Sequence, residues 1–214
     1  MVNLEPNQNA TIMKKAFVGA LVGGIIIFIW QFISFAAANF HKPAQQYTDK
    51  QDEIMSFLSS QGLKEGGYVL PIAPESASHE EMEQQMKNSD GKPWATIQYH
   101  DEAQNSMNDM LMNMLRGLLV NIVVVWMFCW MVGRMNMPSF TTVLLSALAT
   151  GLIVFFNAPY INHIWYKTFD IWAFFIDYVV SWGLTGLWLA WWLRRGQARP
   201  RQAVVREREM EMSS

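Results

Sequence analysis

Four long runs that are almost free of charge alternate with polar stretches along this chain of 214 residues. The first runs from Ala16 to Ala38 and is broken only by Gln31 and Ser34. The second covers Met110 to Val132, the third Pro138 to Asn157, and the fourth Phe169 to Leu193. At 1.5 Å per residue, a helix of about 20 to 25 residues crosses a hydrocarbon core of roughly 30 Å, with some tilt. The pattern predicts four transmembrane helices. Pro138 suits the first turn of the third, where its missing N–H has no helical partner. The first run is preceded by Lys14 and Lys15 and followed by Ala36, Ala37 and Ala38, which also resembles a secretory signal. Its apolar stretch is longer than the roughly 7 to 15 residues of a cleaved signal and carries a bulky Trp30, so a retained anchor is expected.

Between the first two runs lies a polar stretch, residues 41–108, with a pattern of its own. Ile54, Phe57 and Leu58 recur at helical spacing within residues 47–61, and Gly62 stops that helix. Residues 68–72 are β-prone, and Pro71 marks them as an edge strand. Ser78 followed by Glu81 is a capping-box pattern ahead of a polar helix over about residues 79–88. Residues 94–99 alternate like a second strand. The order helix, strand, helix, strand predicts a small α/β unit. The fold class expected is an all-α transmembrane four-helix bundle with a small extracytoplasmic α/β insert between helices 1 and 2.

Basic residues set the direction of the spans. Lys14 and Lys15 precede the first, Arg134 lies in the turn between the second and third, and Arg194, Arg195, Arg199, Arg201, Arg206 and Arg208 follow the fourth. All nine fall on one side. The opposite side has Lys167 in the link of residues 158–168, and the long link has five Lys against eleven Asp and Glu. Residues 1–15 and the Arg-rich tail, 194–214, are therefore expected in the cytoplasm and the insert outside it, as in a bacterial inner-membrane protein. Tyr160, Trp165, Tyr166 and Trp172 gather at the predicted outer edge, and Trp126, Trp130, Trp188, Trp191 and Trp192 at the inner one, as interfacial aromatics do.

Composition narrows the function classes. One cysteine, Cys129, rules out a disulfide within the chain and leaves too few thiolates for a Cys-built zinc or iron–sulfur site. A net charge of −2 supplies no basic domain, and no nucleic-acid partner is expected. Nothing matches a nucleophile elbow, a P-loop, a dinucleotide fingerprint or a zinc-protease helix. No catalytic residue and no cofactor is predicted.

The candidate site residues are those that are costly in a membrane. Arg116 in span two and Asp177 in span four both fall about 6 to 8 Å outward of the midplane, at equal depth and opposite sign. An intramembrane Arg116–Asp177 pair is the preferred reading. The alternatives are separate accommodation near the headgroups and an ion or substrate site. Asn121 is a polar group of the bundle interior. Gly19 and Gly23, with Ser146, Ala147, Thr150 and Gly151, are small-residue rows suited to close helix packing, within the chain or with another copy. Met107, Met110 and Met114 share one face and, with His41 and His163, are weighed as a soft-metal site. Met is also an ordinary interface filler, and a headgroup-level polar anchor is the preferred role for both histidines. The function expected is a non-enzymatic accessory, assembly or scaffold subunit in contact with the lipid bilayer, binding another membrane protein or itself. The alternative is an oligomeric transporter or channel, with copper as one cargo.

Overall fold

The computed structural model describes residues 6–103, 106–135 and 138–195. It is mostly helical, with four helices long and apolar enough to cross a membrane: Met13–Ala37, Met107–Val132, Phe140–Tyr166 and Ile171–Trp192. These mark a multi-pass membrane protein. The part of the basic tail holding Arg199, Arg201, Arg206 and Arg208 lies outside the described residues.

The chain divides into two compact units, one of Met1–Ala44 with Leu111–Ser214 and the other of Gln45–Met110. In the first, α1 (Pro6–Phe32) runs into a π-helical turn, Ile33–Ala37, and a short 3₁₀ turn, Lys42–Ala44. Next in this unit come α4 (Met107–Val132, whose first residues fall to the other unit), α5 (Phe140–Phe155), a second π turn at Phe156–Tyr160, α6 (Ile161–Tyr166) and α7 (Ile171–Trp192). One apolar core, including Ala20, Ile27, Val125, Phe128, Ala147, Trp182 and Leu189, joins α1, α4, α5 and α7.

Small residues let these helices approach. A Cβ added at Gly23 would stand 2.8 Å from Val125 and 3.0 Å from Thr185, so Gly23 lies between α1 and both α4 and α7. Gly19 faces Leu189 and Trp192 in the same way. The closest approach is at Gly24, where an added Cβ would meet the Ile122 side chain at 2.6 Å and its backbone at 2.7 Å. On the other side of α7, Gly151 faces the Tyr178 carbonyl and Trp182, and Ala147 faces Gly186. Ser146 and Thr150 lie beside that row, and the Thr150 hydroxyl donates to the Ser146 carbonyl of its own helix.

Two boundaries differ from the sequence expectation. The third span does not end at Asn157; its helix continues to Tyr166. Pro159 has no N–H and its ring crowds the preceding turn, and the π turn around it accommodates both effects without ending the helix. Lys167, with φ 47°, then closes the helix by donating its N–H to the His163 carbonyl. At the other end, Pro138 precedes the helix. Ser139 is the N-cap, and its hydroxyl accepts from the Thr142 N–H.

The second unit contains α2 (Gln51–Ser60), β1 (Gly66–Leu70), α3 (His79–Ser89) and β2 (Ala95–Tyr99). The strands pair antiparallel, with Tyr68 opposite Ile97. The first strand stops at Leu70, before Pro71, because a residue without an N–H ends a ladder. The capping box forms: Ser78 Oγ accepts from the Glu81 N–H and the Glu81 carboxylate accepts from the Ser78 N–H. The Ser78 N–H, and after it the Ser78 hydroxyl, hold the Glu81 carboxyl below its ordinary pKa.

Candidate functional site

The most concentrated chemistry in the bundle surrounds a histidine. The π turn at the end of α1 directs Ala38 N–H to Ile33 O and Phe40 N–H to Ser34 O. Asn39, with φ 51°, reverses the chain. The next residues carry His41 inward, and its side chain is 0% exposed. His41 is thus neither the start of a separate insert nor a headgroup anchor; it belongs to the bundle. Phe35 stacks on its ring at 3.7 Å between centroids, and Phe174 meets it edge-on at 4.7 Å.

Both ring nitrogens are engaged. Nδ1 lies 2.8 Å from Asp170 Oδ2, and Nε2 lies 2.9 Å from Asp177 Oδ2. The two aspartates stand seven residues apart on α7 and its N-cap, so the 3.6-residue repeat puts them on one face with Phe174 between them. Asp170 occupies the N-cap position, yet its side chain caps no backbone N–H and goes to His41 instead. From within α1, the Trp30 indole N–H donates to Asp177 Oδ1 at 3.0 Å. Both aspartates are buried.

Each nitrogen–oxygen contact holds one hydrogen, whichever atom it sits on. Burying three ionisable groups is costly, and the two His41 contacts with the Trp30 N–H offset that cost. The arrangement clasps the end of α1 to the start of α7. It is not a ligand set, because each nitrogen lone pair or N–H is already directed at a carboxylate. Among the described residues, no group of three or more His, Cys, Asp or Glu is placed to hold a metal ion.

The structure does not bring Arg116 and Asp177 together. Asp177 faces α1, while Arg116 is exposed on α4 and its nearest polar partner is Asn113 Oδ1 at 3.4 Å. Equal depth places two residues at one level of the membrane but does not turn them toward each other. Asn121 is half-buried, and its amide donates to Gln31 on α1, at 2.8 Å. Met107, Met110 and Met114 are exposed. His163 Nδ1 pairs with the Thr168 carbonyl and hydroxyl, and both ring nitrogens of His41 go to its two carboxylates.

Helix directions gather the basic residues Lys15 and Arg195 at the end of the bundle opposite His41. There the Lys15 ammonium donates to the Arg195 carbonyl, the Trp192 indole donates to the Lys15 carbonyl, and the Arg195 guanidinium lies over Trp191. Asp170 and Trp30 are the residues of the clasp that sequence reasoning passed over. An indole donor in mid-span and two acids seven apart at the start of a span were the available signals. No family model, curated protein or solved structure matches this chain.

Proposed function

We propose that this chain is a non-enzymatic accessory, assembly or scaffold subunit of the membrane that binds a membrane partner through its insert and its helix faces. Both termini are placed in the cytoplasm, in a bacterial inner membrane, on the strength of the basic residues around Lys15 and Arg195. The observation that carries the reading is the surface of the folded insert. Ile54, Met55 and Phe57 of α2, together with Leu70, Ile72, Met86 and Trp94, are exposed although the unit has regular secondary structure and a formed capping box. Apolar side chains presented by an ordered unit mark a contact surface. The bundle, for its part, commits its most reactive groups to the closed clasp around His41.

Extraction into lipid nanodiscs followed by native mass measurement tests the reading. A complex heavier than one chain is expected, and Phe57→Glu with Ile72→Glu should weaken it. A lone monomer under every mild condition overturns it. The clasp favours a second reading, an oligomeric transporter, because Asp170, His41 and Asp177 share hydrogens in a row that could pass a proton. Flux assays in liposomes and metal analysis, copper included, address that reading. No flux and no bound metal remove it.

A further inference from the structure

We infer that the side of α4 bearing Asn113, Arg116, Gly117 and Asn121 seats a transmembrane helix of a different protein, one that carries a carboxylate at the depth of Arg116. This rests on the accessory-subunit reading and names the chemistry of the partner.

The two halves of α4 are built differently. Val125, Phe128, Cys129 and Val132 are buried in the core, whereas no residue from Leu111 to Val120 is buried. Within that bare half is a glycine without an internal use. Gly19, Gly23, Gly24, Gly151, Gly183 and Gly186 each have an atom of a neighbouring helix within 4 Å of where a Cβ would stand. A Cβ at Gly117 would meet nothing within 4 Å. Glycine on a helix surface lets a second backbone come close, and here none of the described residues supplies a second backbone.

Polar groups surround that gap. Asn113, Gly117 and Asn121 follow one another at four-residue intervals, and Arg116 borders that row at Asn113, three residues before it. The Asn121–Gln31 bond uses one donor of one amide and one acceptor of the other, leaving further hydrogen-bonding capacity on both side chains. Arg116 is exposed, and among the described residues no carboxylate lies within ion-pair distance of it. A cation in this setting calls for an anion at its own depth.

A second copy of the chain does not provide that anion. Copies related by an axis along the membrane normal keep every residue at its own depth, so two such α4 faces would press Arg116 against Arg116. Asp170 and Asp177 are committed to His41, and Asp109, two turns nearer the helix start, accepts from Ser106. The complementary carboxylate therefore comes from another polypeptide.

The test uses the full chain in phosphatidylcholine nanodiscs with synthetic membrane-spanning Leu/Ala peptides that carry one Glu, or Leu in its place, at the depth of Arg116. Energy transfer between labels reads association. The Glu peptide should bind about tenfold more tightly than the Leu peptide. Arg116→Leu should erase that difference. Gly117→Ile should weaken both peptides without lowering the melting temperature of the chain, since the added side chain meets nothing internal. Equal binding of the two peptides, or a preference that survives Arg116→Leu, overturns the proposal. So does Arg116-dependent retention of phosphatidylglycerol that blocks the Glu peptide, which makes a lipid the occupant. A crosslink in cells from a photoreactive residue at Asn113 to a second copy overturns it as well. If the native complex survives Gly117→Ile and Arg116→Leu intact, this face is not the seat, yet the accessory reading stands. If the unaltered chain forms no complex, both fall.

Discussion

α7 and α4 are both long apolar helices with one charged residue well inside them, and they treat that charge in opposite ways. On α7, Asp177 turns inward and meets His41 and Trp30, so its charge is absorbed by the fold of the chain that carries it. On α4, Arg116 turns outward and, among the described residues, has Asn113 as its polar partner. The glycines follow the same division: Gly186 on α7 is filled by Ala147 and Leu144, and Gly117 on α4 is open. Burial, more than residue type, separates an ionisable group that holds a membrane fold together from one that faces outward.

The strongest way to break the comparison is to remove the residue that makes α7 self-sufficient. His41→Ala leaves two buried carboxyls without their shared partner, and losing one member of a buried ionic set costs about 3 to 5 kcal/mol. A large drop in the detergent melting temperature is expected. Adding Asp177→Leu to it should recover part of the loss, since the two positions are coupled. Simple additivity in that cycle would show that the clasp contributes nothing as a unit.

Packing comes next. Gly24→Leu forces a side chain into the Ile122 backbone, and overpacking of this kind costs about 1 to 3 kcal/mol. Gly117→Ala meets no atom and, with the better helix propensity of alanine, should leave stability unchanged or raise it by up to about 1 kcal/mol. Equal losses at the two glycines, measured by thermal unfolding in one detergent, would erase the distinction between the helices.

A charge housed in water gives a smaller effect. The folded-state pKa of Glu81 is lowered, so its carboxylate stabilises α3 above the unfolded value near 4.5, and that contribution is lost as pH falls through the lowered folded value. Amide exchange over residues 79–86 should be faster in Glu81→Ala than in the parent at neutral pH, and the two should converge in acid. A difference that persists below the folded value would assign the effect to something other than the carboxylate.

Arg116→Leu should change the melting temperature of the isolated chain least of all, within about 0.5 kcal/mol, as for other exposed sites. A loss comparable to that of Asp177→Leu would restore the Arg116–Asp177 pairing.

How much of this was legible in the linear pattern depends on dimension. Span positions are one-dimensional, set by runs without charge, and all four appear where those runs lie. The capping box at Ser78 and Glu81 and the alternation in residues 94–99 are equally local, and the insert follows them closely. Which side of a helix faces which neighbour is not local. Arg116 and Asp177 share a depth, a quantity the sequence carries, but not a facing direction, which depends on the packing of α1 between α4 and α7. Gly24 escaped notice because the GxxxG spacing draws attention to Gly19 and Gly23. His41 was expected at the start of the insert, at headgroup level. Its inward turn depends on the π helix and the left-handed Asn39, and neither leaves a mark in hydropathy. The helical course of residues 158–166 was hidden by Pro159, which reads as a stop wherever a π turn is not anticipated.

The clasp also imposes an order on how the protein is made. His41 is separated from Asp170 by 129 residues and from Asp177 by 136. At a synthesis rate of about 5 to 20 residues per second, its partners emerge on the order of ten seconds after it. During that interval the first span resides in the membrane with an imidazole and an indole N–H that have nothing of their own chain to bind. Insertion of the fourth span is therefore the event that completes the first. A ribosome that stalls before codon 170 leaves a chain with three apolar helices and an open polar end, a distinct species for membrane quality control to detect.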